Sequence, residues 1–153
     1  HGLINRDTVK IFAYNSRLDT IQAIVGTHLL KKIEYITESR IKNAALYDKN
    51  LSSIDEIIIP KRSNNIKQVY HIYVIRAKDR ENLKVFLNSN GIDAKIHYPV
   101  PMHLQPASKI YGYKKGDFPV SEKTSENILS IPMHPYIKTS EQDQILEALH
   151  AAM

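Results

Sequence analysis

The chain has 153 residues, 42% of them hydrophobic and 24% charged, the balance of a soluble globular protein with room for one real core. Lys plus Arg 21 against Asp plus Glu 16 gives a formal charge of +5, but the basic residues are scattered, in pairs at most (Lys31-Lys32, Lys61-Arg62, Lys114-Lys115), which argues against nucleic-acid binding and suits a small anionic substrate. There is no cysteine, so disulfides, thiolate catalysis and cysteine-based zinc sites are excluded, and no apolar run approaches a membrane span. These features lead us to expect a cytoplasmic protein. No signal-peptide pattern opens the chain, and a start at His1 instead of Met fits a processed product or a piece of a longer protein.

In chain order, Thr8 to Phe12 reads as a strand or an ordered loop. From Tyr14 to Tyr47 apolar residues recur in steps of three and four, at Leu18, Ile21, Val25, Leu29, Ile33, Ile36, Ala44 and Tyr47, with a gap at Arg40. One helix of about thirty residues is expected, roughly 45 Å long. That is more than a chain of this size covers by itself, so the helix is expected to bridge two bodies or pack against another chain. Ser16-Arg17-Leu18-Asp19 reads as a capping box at its start. Asn15 and Arg17 beside a helix N-terminus are then placed to hold a phosphate. The alternative is that Asn15 is itself the cap and Arg17 sits in solvent.

Beyond a break at Asp48 to Ser53, Ile57-Ile58-Ile59 is a β-branched run ended by Pro60. Val69 to Ile75 carries apolar weight on both faces and reads as a central strand. Asp79 caps a helix with Leu83, Phe86 and Leu87 inward, stopped at Asn90-Gly91. Asp93 to Tyr98 alternates as a strand, and Pro99-Val100-Pro101 forces an extended exit. A short helix and turn follow over Met102 to Tyr113, then a helix from Pro119 to Asn127 and a strand from Ile128 to Ile131. A final helix carries Ile145, Leu146 and Leu149, opened by Thr139 with Gln142 or Ser140 with Asp143. The fold class is α+β: a long N-terminal bridging helix, then a small sheet of three or four strands covered by helices. The division expected is 1–47, the end of a large-domain segment with the inter-domain helix, and 48–153, a small C-terminal domain.

The chemistry is sparse. The seven histidines come without a carboxylate cluster or a helical His pair, so no metal site is expected. No nucleophile elbow, dinucleotide fingerprint or Walker loop is present. The segment Ile96 to Pro106 is different, because it concentrates His97, Tyr98, His103 and Gln105 at a strand end on a backbone stiffened by three prolines. Such groups on a rigid edge suit a ligand site. Equally, Tyr98 could pack inward while His97 and His103 bond backbone groups; the residues alone leave both open.

Several stretches taken together resemble one family. They are Asn15 to Ala23 (Asn-Ser-Arg-Leu-Asp-Thr-Ile-Gln-Ala), Tyr70 to Arg76, Gly91-Ile92, Ile96 to Pro106, Gly112-Tyr113, Gly116 to Pro119 and Ile128 to Pro135. In order and spacing they are similar to the DegT/DnrJ/StrS-type sugar aminotransferases, which use pyridoxal phosphate. The resemblance implies the C-terminal part of an enzyme of aspartate-aminotransferase fold that works as a homodimer. It implies that the Schiff-base lysine lies upstream, since no Ser-Phe-x-x-x-Lys stretch occurs here; no catalytic residue is assigned, and this chain alone is expected to be inert. By the same resemblance Asn15 reaches across the dimer to the neighbour's cofactor phosphate, with Arg17 beside it. His97, Tyr98, His103 and Gln105 line the nucleotide-sugar pocket, His103 and Tyr98 foremost. The partners implied are a nucleotide-linked keto-sugar, an amino-acid donor such as glutamate or glutamine, and a second copy across the long helix. A stand-alone nucleotide-sugar binding or regulatory module, or a dimerisation scaffold, is the rival reading.

Overall fold

In the computed structural model, which describes residues 3–5, 8–10, 14 and 18–153, the long helical stretch comes as two helices, α1 (Thr20–Leu30) and α2 (Ile33–Leu51). At the interruption Lys32 N–H reaches back only three residues, to Leu29 O at 2.9 Å, a tighter turn than the α-helical ladder. The expected cap Ser16 lies outside the described residues. Asp19, expected inside the first turn, is itself the cap, with φ −70° and ψ 153°. Its N–H donates to Gln22 Oε1 at 3.1 Å, so the box starts three residues later than read.

The chain divides into two compact units, residues 1–34 and 35–153. In the first, β1 (Leu3–Asn5) pairs antiparallel with β2 (Thr8–Val9), and α1 buries none of its residues. Ile21, Ile24, Val25, Leu29 and Leu30 are all exposed. A free helix of eleven residues is marginal in water even with good helix formers.

The second unit is built on three antiparallel strands in the order β3 (Ile57–Ile58), β4 (Tyr73–Ala77), β5 (Ile128–Ile131). The central strand β4 buries Tyr73, Ile75 and Ala77 on one face. Its register sets Ile75 opposite Leu129 and Val74 opposite Ser130. Helices α2, α3 (Arg80–Ser89), α4 (Pro119–Asn127) and α5 (Thr139–Ala151) surround it. Of these, α2, α3 and α5 contribute Tyr47, Leu51, Leu83, Leu87, Ile145 and Leu149 to one continuous apolar core.

Two expected strands are shorter than their alternation suggested. The central strand starts at Tyr73, not Val69. Tyr70 has φ 47°, a left-handed conformation that no ladder continues. Arg40, the gap in the helical rhythm, explains what holds it there. Its guanidinium donates to Tyr70 O and His71 O, both at 2.8 Å, which removes those carbonyls from strand pairing. The expected strand Asp93 to Tyr98 is a single bridge. Lys95 and Ser130 exchange hydrogen bonds of 3.0 and 2.7 Å, after which the Pro99-Val100-Pro101 segment leaves the sheet. Pro99 and Pro101 have no N–H to extend a ladder.

The last helix also starts differently. Lys138 is its N-cap and donates its N–H to Glu141 Oε2 at 2.7 Å, so neither Thr139 with Gln142 nor Ser140 with Asp143 forms the box. Gln142 is buried and turned to α2, donating to Asn43 O at 3.4 Å. The loop between β3 and β4 is held to α2 by a polar cluster. Asp48 accepts a bidentate pair from Arg62 at 3.1 and 2.8 Å and the hydroxyl of Tyr73. Tyr47 donates to Pro132 O at 3.0 Å. Burial pushes both phenols above their ordinary range, so each remains a neutral donor.

Candidate functional site

The segment 96–106 owes its shape to short-range hydrogen bonds on a proline frame. Leu104 N–H donates to Pro101 O at 3.0 Å and Gln105 N–H to Met102 O at 3.2 Å, closing a 3-10 turn over Met102–Leu104. Gln105 Nε2 donates to Val100 O at 3.2 Å, and the Ser108 hydroxyl donates to Met102 O. A second 3-10 helix, Pro106–Tyr111, ends at Gly112 with φ 72°, a left-handed cap that suits glycine.

The alternative in which Tyr98 packs inward does not hold. Tyr98 is 71% exposed and stands edge-on to the His97 ring at 5.6 Å. With Gln105 it lines a hollow of about 570 Å³, whose other walls are Pro99 to Met102 and the α4 side of Ser121, Thr124 and Ser125. The two histidines do not line this hollow, and both bond side chains instead of backbone. His97 Nδ1 lies 3.0 Å from the hydroxyl of Ser130. The His103 side chain is only 8% exposed, with its ring 4.7 Å from that of Phe118 and its Nε2 2.9 Å from Glu122 Oε1.

Glu122 is the group that residue-by-residue reading passed over. It is buried in the first turn of α4. Its carboxylate accepts from Gly116 N–H at 2.8 and 3.0 Å, from Phe118 N–H at 3.3 Å, and from His103. An ionised carboxylate only accepts, so His103 Nε2 carries a proton. Desolvation pushes the Glu122 carboxyl up, but the bonds from His103, Gly116 and Phe118 outweigh it and hold the group below its ordinary value. One side chain thus joins the 102–104 turn, the 112–118 loop and α4, the wall opposite Tyr98. The one sequence signal was an acid placed just after Pro119 at a helix start. Arg80 secures the other end of α4, donating to Ser125 O at 2.8 Å, a cation on C-terminal carbonyls where the helix dipole favours it.

The hollow holds three aliphatic hydroxyls, an amide, a phenol and apolar walls, and no lysine or arginine among the described residues. It suits an uncharged polar group such as a sugar ring and offers nothing to complement a cofactor phosphate. Asn15 and Arg17, the residues expected to meet that phosphate, lie outside the described residues.

The DegT/DnrJ/EryC1/StrS aminotransferase family matches residues 1–150. A pleiotropic regulatory protein of Geobacillus stearothermophilus is 38% identical over 151 residues, covering 97% of this chain and 41% of that protein. The UDP-2-acetamido-2-deoxy-3-oxo-D-glucuronate aminotransferase of Pseudomonas aeruginosa is 38% identical over 138 residues, covering 88% of this chain and 36% of the enzyme. Among solved structures, DesV of S. venezuelae in complex with a ketimine intermediate superposes with a TM-score of 0.92 at 29% identity, covering 99% of this chain and 41% of DesV. The chain therefore spans about two fifths of the length of these relatives. On the match over 150 of its 153 residues, the chain belongs to the DegT/DnrJ/EryC1/StrS aminotransferase family.

Proposed function

We propose that this chain is the C-terminal part of a pyridoxal-phosphate-dependent aminotransferase acting on a nucleotide-linked keto-sugar, with an amino acid as donor. The observation that carries the reading is the hollow beneath exposed Tyr98 and half-buried Gln105, lined by no lysine or arginine among the described residues, in a chain whose family is one of aminotransferases and one of whose relatives is a nucleotide-sugar aminotransferase. Pyridoxal phosphate, bound by the complete enzyme, supplies the carbanion chemistry. The described residues supply a rim. Tyr98 offers an aromatic face and a hydroxyl to the sugar; Gln105, steadied by Val100 O, offers its amide oxygen. Ser121 and Thr124, three residues apart on one helix face, offer hydroxyls from the opposite wall. His97 stands beside Tyr98 at the edge, and His103 acts on the rim through Glu122.

In this reading residues 1–47 carry the end of a large domain and the connecting helical stretch, and 48–153 form the small domain. Asn15, with Arg17 beside it, completes the cofactor phosphate site of a second copy. The apolar residues that α1 leaves exposed support burial against that copy and the large domain, since a helix gains most of its stability from packing. The Schiff-base lysine belongs to the part of the protein outside this chain, so the chain alone is inert.

The test is kinetic, on the intact protein. Tyr98→Ala and Gln105→Ala should each raise KM for the nucleotide-sugar by about tenfold, the equivalent of about 1.4 kcal/mol of lost contact, with KM for the amino donor unchanged. An unaltered sugar KM in both variants would remove this hollow from the substrate site.

A further inference from the structure

Ser130 is a buried hydroxyl for which amino transfer in general has no need. It lies on β5, and its side chain points to the one histidine that stands beside Tyr98. Its backbone groups are spent on Lys95, and its Oγ bonds His97 Nδ1 at 3.0 Å. Ser130 is 5% exposed, so its hydroxyl proton cannot turn to bulk water.

The pair has two arrangements. Nδ1–H donates to Oγ, or Oγ–H donates to an unprotonated Nδ1. In the first, the hydroxyl proton is left without an acceptor in a buried place, because no other hydrogen bond reaches Oγ among the described residues. In the second, donor and acceptor are both satisfied. Buried polar groups are paired in native structures, and an orphaned donor carries the full desolvation cost. The second arrangement therefore prevails, and a neutral imidazole whose Nδ1 accepts must carry its proton on Nε2.

We propose that Ser130 is a positioning residue, which fixes His97 in the Nε2–H form and so makes it an outward hydrogen-bond donor at the substrate rim, matched to an oxygen acceptor such as a sugar hydroxyl or carbonyl. The assignment to substrate rests on the function proposed above; the tautomer does not. No hydrogen bond from a described residue reaches His97 Nε2, and the imidazole is only half-buried, so the donor is available. The same logic operates where an outer partner fixes the tautomer of a functional imidazole.

The test is a long-range proton–nitrogen correlation spectrum of the 153-residue chain with isotope-labelled histidine. It is recorded above the ordinary titration range of imidazole and without ligand. The His97 signals are assigned by their loss in His97→Gln. The expected result is one tautomer with the proton on Nε2, kept in Ser130→Thr, which retains the hydroxyl, and lost to a mixture in Ser130→Ala. A proton on Nδ1 in the unaltered chain overturns the proposal, as does a tautomer that Ser130→Ala leaves unchanged. Should Ser130→Ala fail to fold, the unaltered chain and Ser130→Thr still decide it. Because the spectrum needs no substrate, its outcome is separate from the Tyr98 kinetics, which bear on the function alone.

Discussion

Replacing Leu129 with alanine lowers the stability of the second unit by about 2–5 kcal/mol, a large share of what a domain of this size has to spare. Leu129 is fully buried at the centre of β5, opposite Ile75 of the central strand. Truncation removes the transfer energy of its branched end and leaves a cavity between strand and helices that a close-packed core fills only in part. Leu129→Met keeps most of the volume and should cost less than about 1.5 kcal/mol. Urea unfolding followed by far-ultraviolet circular dichroism measures both, as a fall in midpoint at constant slope. Equal midpoints for the two variants would mean that Leu129 does not sit in a packed core. The site is affected too, since Ser130 follows on the same strand and reaches His97 from it.

The second large effect is at Glu122, whose carboxylate ties the 102–104 turn and the 112–118 loop to α4. Glu122→Gln keeps the shape and removes the charge. An amide cannot accept on both branches, and Gly116 N–H bonds both carboxylate oxygens, so its NH₂ must face a donor. The variant should melt at a lower temperature at neutral pH. The pH dependence follows from linkage. The folded Glu122 value lies below the ordinary 4.5, so the stabilisation is complete above that value. It is lost as pH falls through the lower folded one. The unaltered chain should therefore lose stability on acidification below about pH 4.5, and Glu122→Gln should lose less over the same range. Parallel acid limbs in the two proteins would contradict the buried ion-and-donor arrangement.

What was legible in the sequence was local. Composition and turn signals placed β3, β5 and α4, and the 3.6-residue period gave α3 and α5 inward residues, of which Leu83, Leu87, Ile145, Leu146 and Leu149 are buried, because burial imposes that period directly. What escaped was set by contacts between residues far apart in the chain. Tyr70 sits inside an apolar alternation, yet Arg40, thirty residues earlier, takes its carbonyl. The Asp93 to Tyr98 alternation is real, but only Lys95 meets a partner strand. The site divided in the same way. His97, Tyr98, His103 and Gln105 were singled out together as one polar cluster on a proline frame. Only the fold separates them into Tyr98 and Gln105 on the hollow, His97 on Ser130, and His103 on Glu122. Neither Ser130 nor Glu122 carries a motif; each matters through a histidine nineteen residues or more away.

The account stands on the claim that this chain shapes the edge of an active site and does not hold its reactive centre. The direct measurement is to incubate the purified 153-residue chain with pyridoxal phosphate, an amino donor and a nucleotide-linked keto-sugar, reduce with borohydride, and map the modified peptides. The account predicts no aminated sugar and no lysine carrying reduced cofactor in preference to the others. One lysine of this chain trapped stoichiometrically, together with aminated sugar, would contradict it.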